Sequence, residues 1–380
     1  MTFIERIDVF PVQIPVTGTF QFASGTAARE GGTAPHVFVR ITDSDGAHGW
    51  GEARPSPGWS AETLETVVTS LRRYIGPALE GHPVHDRHGL HRRLDRTLGG
   101  HPTGQPIARS AVDLAVHDLL ARRASLPLRA FLGGSLEPVV LALSYTLTDH
   151  TPDDARATVE RQSCLGYAHF NFKVGVDEDT DIAVAAAVRA SAPPGAFVWA
   201  DANQSLSLRE ARKLATAFTH IGIDLLEQPL RADAQHDMAA LRAHTSLPLA
   251  IDEACVSPTD YFRYAALGLV DYLVLKLTRS GGIWPTMQQV GIARAAGHGL
   301  VVSGLTDSLL TRAAGAQVAA AFGCEGPLAL NGGQFLDESE LYPQGRLVEH
   351  DGALHLDGVH GIGLEPDVQV LKKLLVGENL

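Results

Sequence analysis

Two periodicities divide the chain. Up to about residue 125, strand-like alternation in "FIERIDVFPVQI" and "HVFVRITDSDGAHGWGEA", with Asp45-Gly46 as a hairpin turn, gives way to helical spacing through "AETLETVVTSLRRYI" and "ARSAVDLAVHDLLARRA". Strands followed by helices predict a small α+β domain over residues 1–125. From "LPLRAFLGG" onward, short apolar runs alternate with amphipathic ones. "VVLALSY", "HFNFK", "FVWAD", "IDLLE", "LPLAID", "DYLVLK", "LVVSG" and "PLALN" read as eight strands. From the second to the sixth they end in Lys173, Asp201, Glu227, Asp252 and Lys276, at steps of 24 to 28 residues. Such a step holds one strand, one helix and two loops, and the repeat outlines a (β/α)8 barrel over residues 126–340. Helix signals agree: Ser207 to Glu210 fits a capping box, and Gly166, Gly222 and Gly297 stand where helices should end. Beyond residue 340, "GRLVEHDGALHLDGVHGIGL" returns to strand and turn chemistry, and residues 341–380 are expected to pack back on the first domain.

Composition narrows the classes. With 380 residues, 45% of them hydrophobic, the chain can bury a large core. A net charge of -12 argues against a nucleic-acid or anionic-membrane surface. No run approaches the roughly 20 apolar residues that span a bilayer, and the start lacks the basic and apolar pattern of a signal peptide. Three scattered cysteines, Cys164, Cys255 and Cys324, suit a reducing compartment, so the cytoplasm is the expected location.

In a barrel the strand C-termini converge on one mouth. Three consecutive strands there end in carboxylates, Asp201, Glu227 and Asp252, whose mutual repulsion calls for a cation between them. Oxygen ligands without His or Cys select Mg²⁺, with Mn²⁺ an acceptable substitute. Lys173 and Lys276 flank the trio, one amine on each side of the expected metal, where a lysine with lowered pKa can take or give a proton. A substrate carboxylate on the metal would place its α-carbon between them, with the metal stabilising the enediolate. Any one of these residues alone would read as a solvated strand end; five in register do not. Elsewhere, His82, His85, His88 and His91 read as a solvated helical face rather than a metal site, and Gly281-Gly282 as a structural pair rather than a phosphate cradle.

These residues resemble the enolase superfamily, and within it the muconate lactonizing enzyme subgroup of the mandelate racemase/muconate lactonizing enzyme family. The resemblance runs through "GWGEA", "SAVDLAVHDLLARRASLPLRAFLGG", "FNFKVG", "DAN", "EQP", "DE" and "KLTRSGG". It implies a modified TIM barrel of (β/α)7β type under an α+β cap formed by both chain ends. It also implies Mg²⁺ on Asp201, Glu227 and Asp252, Lys173 and Lys276 as acid/base pair on opposite substrate faces, and Asn203 and Glu253 supporting the metal site. The mandelate racemase branch, with its histidine after the seventh strand, is disfavoured because that strand reads "SGLTDS".

Asn171 departs from the subgroup's usual Lys-x-Lys, removing a charge on the inward face beside Lys173. At the eighth strand, "LALNGGQF" places Asn331 where dipeptide epimerases often show an acidic pair, which disfavours a free α-ammonium dipeptide. Asp307 matches an often acidic position and could contact a basic group. Two capping loops, "GTFQFASGTA" and "ARPSPGWSAE", offer Phe20, Phe22 and Trp59 as an apolar lid and Arg54 as a carboxylate partner. The expected activity is Mg²⁺-dependent removal of the α-proton of a small carboxylate substrate, leading to racemisation or epimerisation of an amino-acid derivative. The alternatives are a cycloisomerase or lyase, by muconate cycloisomerisation, dehydration or o-succinylbenzoate formation, and a catalytically inactive barrel kept as a binding module. A homo-oligomer is the expected assembly.

Overall fold

The long strand Ile4–Pro15 pairs antiparallel with Thr33–Asp43, which pairs in turn with His48–Ala53. This sheet carries its apolar face against the helix Pro106–Arg123, thirteen of whose residues are buried. The contact is close enough to require glycine in "GWGEA". A Cβ on Gly51 would lie 2.0 Å from the Ala111 carbonyl oxygen, and one on Gly49 2.3 Å from that of Ala115. The computed structural model describes residues 2–377 except 24, 100–103, 325 and 344–347, so one residue of the first capping loop and the start of the tail run at 345 lie outside it.

Seven parallel strands follow in sequence order: Ser144–Leu147, His169–Lys173, Val198–Asp201, Leu225–Glu227, Leu249–Ile251, Tyr272–Leu275 and Gly299–Val302. A helix follows each, from Pro152–Cys164 to Leu309–Phe322. The run "PLALN" closes the curl as single bridges, Leu143 to Leu328 and Ser303 to Ala329. Ser144 N–H donates to Leu328 O at 2.9 Å, and Ala329 N–H to Val302 O at 2.8 Å. A short 3₁₀ turn, Asn331–Gln334, comes next instead of an eighth helix. The eight expected units are therefore seven plus a closing strand segment, the (β/α)7β arrangement. "VVLALSY" also divides. Val139–Ala142, with alternate residues exposed, pairs antiparallel with Ala353–Leu356, and only the part from Ser144 enters the barrel.

The helix ends follow their local chemistry. Ser207 and Glu210 form the reciprocal capping box, while Gly222 and Gly297 close their helices in the left-handed conformation. The tail runs back over the first domain: Gln13 N–H donates to Leu374 O at 3.2 Å and Val376 N–H to Pro11 O at 3.0 Å. The histidine run is solvated only in part, at the exposed His85 and His88. His82 is buried with Nε2 on the Asp86 carbonyl, and His91 Nε2 lies 2.7 Å from Asp113 Oδ1. No helix among the described residues is long and apolar enough to cross a membrane.

Buried acids join the cap to the barrel. Glu52 accepts Ser308 N–H at 2.9 Å, Ser308 Oγ–H at 2.7 Å and Thr311 N–H at 3.3 Å, at the start of the helix Leu309–Phe322. His36 Nδ1 lies 2.6 Å from the same carboxylate. Asp113 takes the amides of Ile283 and Trp284 at the start of Ile283–Ala296, and within the cap itself Glu62 takes those of Ile107 and Ala108 at the start of Pro106–Arg123. Each carboxylate supplies acceptors to amides that the helix itself leaves open.

Candidate active site

Inside the barrel, Trp199, Leu225, Ala250, Val274, Val301 and Ala329 form one apolar layer, a residue from each of the third to eighth strands. Side chains on a strand return to the same face every second residue. Two positions onward come Asp201, Glu227, Asp252, Lys276, Ser303 and Asn331. The polar ring thus rests on an apolar floor. On the second strand Phe172 packs edge-on against Phe218 of the surrounding helix Leu208–Ile221, which leaves Asn171 and Lys173 on the opposite, inward face.

Lys173 Nζ donates to Asp201 Oδ2 at 2.6 Å, and Lys276 Nζ to Asp252 Oδ2 at 2.7 Å. Arg279 binds the other Asp252 oxygen. Between these pairs sits Glu227, accepting Trp199 Nε1–H at 2.8 Å. Burial, then the charges of Asp201 and Asp252, push the Glu227 carboxyl well above the usual range. Asp252 is displaced the other way: burial would raise it, but Arg279 and Lys276 outweigh that. At Lys173 two effects compete. Burial favours its neutral form, yet the adjacent Asp201 and Glu227 charges and the hydrogen bond to Asp201 hold it above the ordinary lysine value.

Asn203 Nδ2 donates to Glu253 Oε1 at 3.0 Å, and its backbone N–H to Asp201 Oδ1 at 2.9 Å. Trp59 Nε1–H reaches the same Glu253 oxygen at 3.1 Å, while Glu253 Oε2 is buried without a hydrogen-bond partner. As placed, no group of three or more His, Cys, Asp or Glu among the described residues is spaced to hold a metal ion, because the lysines and Arg279 take the aspartate oxygens. The donor set nevertheless fits a hard divalent cation: three buried carboxylates, one of them raised by its neighbours' charge, and a fourth with an open oxygen.

The capping loops close over both amines. Lys173 Nζ lies 5.0 Å from the Phe20 ring centre, and Lys276 Nζ 4.8 Å from that of Trp59. Phe22 packs against both rings, at 6.0 Å and 5.3 Å. Phe20 also stacks at 4.9 Å on Phe335, just past the eighth strand segment. Beside Trp59 lies a cavity of about 320 Å³, lined by Pro57, Gln204, Glu253 and Arg279 among others.

Two residues stand elsewhere than expected. Arg54 is buried, donating to the carbonyls of Pro35 and Pro55 and to Thr306 Oγ1, and burial lowers its pKa to about 10. It ties the cap to the loop after the seventh strand instead of facing the mouth. Asp307 accepts Thr278 Oγ1–H at 3.1 Å and Leu305 N–H at 2.9 Å, and the cation that acts on it is Arg54. Its carboxyl, pushed to about 6 by burial and Glu52, belongs to the cap seam. Asn171 and Asn331 meet through Thr146, whose hydroxyl donates to Asn171 Oδ1 at 3.0 Å and accepts Asn331 Nδ2–H at 3.3 Å. Sequence reasoning missed Arg279, although it stands three residues after Lys276 in "KLTRSGG", and it missed Thr146 and Trp199, which carry no ionisable group.

Comparison with known proteins accounts for the arrangement. Residues 6–133 match the mandelate racemase / muconate lactonizing enzyme N-terminal domain, and residues 153–370 the enolase C-terminal domain-like family. The L-Ala-D/L-Glu epimerase of Bacillus subtilis is 28% identical over 372 residues, covering 95% of this chain and 96% of that protein. The N-succinyl-L-Arg/Lys racemase of Bacillus cereus is 26% identical, covering 99% of each. The muconate lactonizing enzyme of Pseudomonas fluorescens, solved with muconolactone, superposes with a TM-score of 0.90 at 25% identity, over 99% of this chain and 100% of that one. The chain belongs to the mandelate racemase/muconate lactonizing enzyme family of enolase-superfamily enzymes, in the muconate lactonizing enzyme subgroup.

Proposed function

We propose that this enzyme racemises or epimerises an amino-acid derivative by removing and returning the α-proton of its carboxylate. One observation carries the reading: Lys173 and Lys276 each hold a different carboxylate at opposite ends of the buried acid trio, each beneath a ring from a different capping loop. A substrate entering between them meets an amine on either side. Released from its aspartate and deprotonated, one lysine takes the α-proton as a neutral amine, and the other, still an ammonium, delivers its proton to the opposite face. Phe20, Phe22 and Trp59 exclude water while this happens.

Asp201, Glu227 and Asp252 would hold the metal, with Asn203 and Glu253 orienting them. Enzymes of the superfamily use Mg²⁺, and bound here it would offset the negative charge that builds on the substrate carboxylate as the proton leaves. Lys173 and Lys276 are held by Asp201 and Asp252, and each amine has to leave its carboxylate to reach the substrate.

Cycloisomerisation is the second reading, supported by the similarity to the muconate lactonizing enzyme. Incubation of candidate carboxylates with Mg²⁺ in heavy water separates the two. Deuterium at the α-carbon with inversion supports racemisation, ring formation or loss of water supports the second reading, and the absence of both across acyl amino acids and muconates rejects the proposal.

A further inference from the structure

An aromatic column climbs the inside of the barrel to the acid trio. In "FVWAD" every second residue faces inward, so Phe197, Trp199 and Asp201 follow one another toward the mouth. The Phe197 and Trp199 rings lie 5.6 Å apart, and Phe197 lies 6.1 Å from Tyr272. Tyr272 in turn fills the space left by Gly299, where a Cβ would come within 2.2 Å of Tyr272 Cε1. Trp199 itself is fully buried among Leu225, Ala250, Val274 and Val301. Its ring is fixed by packing.

An indole has one polar atom, a donor, and when buried it needs an acceptor. Trp199 gives it to Glu227 Oε2 at 2.8 Å, on the neighbouring strand that it meets in register at Leu225. The two aspartates are held differently. Charged side chains take Oδ2 of Asp201 and both oxygens of Asp252, from Lys173, Lys276 and Arg279. Those donors carry the same sign as a metal ion and stand on flexible stems. Trp199 has no charge for a cation to repel, and it cannot withdraw without breaking the floor. No other side chain among the described residues hydrogen-bonds Glu227, so Oε1 is the oxygen it can offer. A carboxylate tied at one oxygen gives a metal one ligand atom instead of two. That suits Mg²⁺, which is small and octahedral; Ca²⁺ takes more oxygens and commonly both of one carboxylate.

We infer that Trp199 is a positioning residue of the metal site: by holding Oε2 from the barrel floor it makes Glu227 a one-oxygen ligand, and so favours Mg²⁺ over Ca²⁺. This rests on the proposed metal site and deepens it, because three carboxylates alone do not separate two ions of equal charge. The tied oxygen does.

The test titrates metal-free enzyme with magnesium and calcium chloride, by calorimetry and by nuclear magnetic resonance of the indole N–H groups. The chain has four tryptophans. The Trp199 signal is the one absent in Trp199→Phe or, should that variant not fold, the one that survives single replacement of Trp50, Trp59 and Trp284. In the wild type it should shift in step with Mg²⁺ saturation while staying protected from exchange with water. Trp199→Phe keeps a ring and loses the N–H: Mg²⁺ binding should weaken about tenfold and Ca²⁺ binding by less than about threefold, so the preference shrinks. In a Glu227→Gln background the same replacement should change neither affinity further. A Trp199 signal blind to Mg²⁺, or a preference unchanged in Trp199→Phe, overturns the inference. Wild-type enzyme that binds no Mg²⁺, or binds it equally well in Glu227→Gln, rejects the metal site and this inference together. Binding that depends on Glu227 but not on Trp199 rejects the inference alone.

Discussion

Two sets of buried acids can be compared, those at the seam between cap and barrel and those at the barrel mouth. At the seam Glu52 and Asp113, and within the cap Glu62, are held largely by backbone amides at helix starts, groups that cannot move without unravelling a turn. At the mouth, Asp201 and Asp252 are held largely by the tips of flexible lysines and an arginine. Fixed dipoles make a carboxylate part of the scaffold. Mobile cations leave it exchangeable, and that is what a site needs if a metal and a substrate are to enter. Both sets are equally hidden from solvent, so burial does not distinguish structure from chemistry here; the partner does.

The largest effect that could break this contrast lies at the mouth. Lys173→Met should lower α-proton exchange of one enantiomer by about 10²–10⁴-fold while the variant keeps its circular dichroism spectrum, and Lys276→Met should do the same for the other enantiomer. Equal loss for both enantiomers in each variant would falsify the two-sided assignment. At the seam, Glu52→Ala strips four partners at once, including His36 and the start of a helix. It should cost roughly 3–5 kcal/mol in urea unfolding, with exchange per folded molecule retained. Mg²⁺ sharpens the comparison from the other side: at about a hundred times its dissociation constant it should stabilise the protein by roughly 2.7 kcal/mol. That gain should vanish in Glu227→Ala and persist in a cap variant such as Glu62→Gln.

The smallest effect concerns pH. Burial pushes the Glu62 carboxyl up to about 7, and its bonds to Ile107 and Ala108 offset this only in part. A carboxylate with a raised folded pKa binds its proton more tightly when folded, so its unfavourable contribution is absent below the ordinary value and complete above 7. Between pH 4.5 and 7 the native enzyme should therefore lose roughly 2–3 kcal/mol relative to Glu62→Gln, and the difference should be flat above.

The mouth was more legible than the seam for a physical reason. Lys173, Asp201, Glu227, Asp252 and Lys276 announce themselves by ending apolar runs at a regular step, and the structure brings all five together. Glu52 and Asp113 carry no such mark, because their partners are amides more than a hundred residues away. Arg54 and Asp307 show the same limit: each is charged and near the mouth in sequence terms, yet they satisfy each other's neighbourhood at the seam. The first strand was read too long because Val139–Ala142 is as apolar as a barrel strand, and only its antiparallel partner, Ala353–Leu356, sets it apart.

The stack of Phe20 on Phe335 has a practical consequence. The chain just past the closing segment also bridges Val16 to Leu336, and Asp337 N–H donates to Pro15 O at 2.9 Å. Anyone grafting the first capping loop from a relative to alter selectivity would be transplanting half of a joint. Chimeras should exchange residues 331–337 together with that loop, or the new loop will arrive without the surface on which it was shaped.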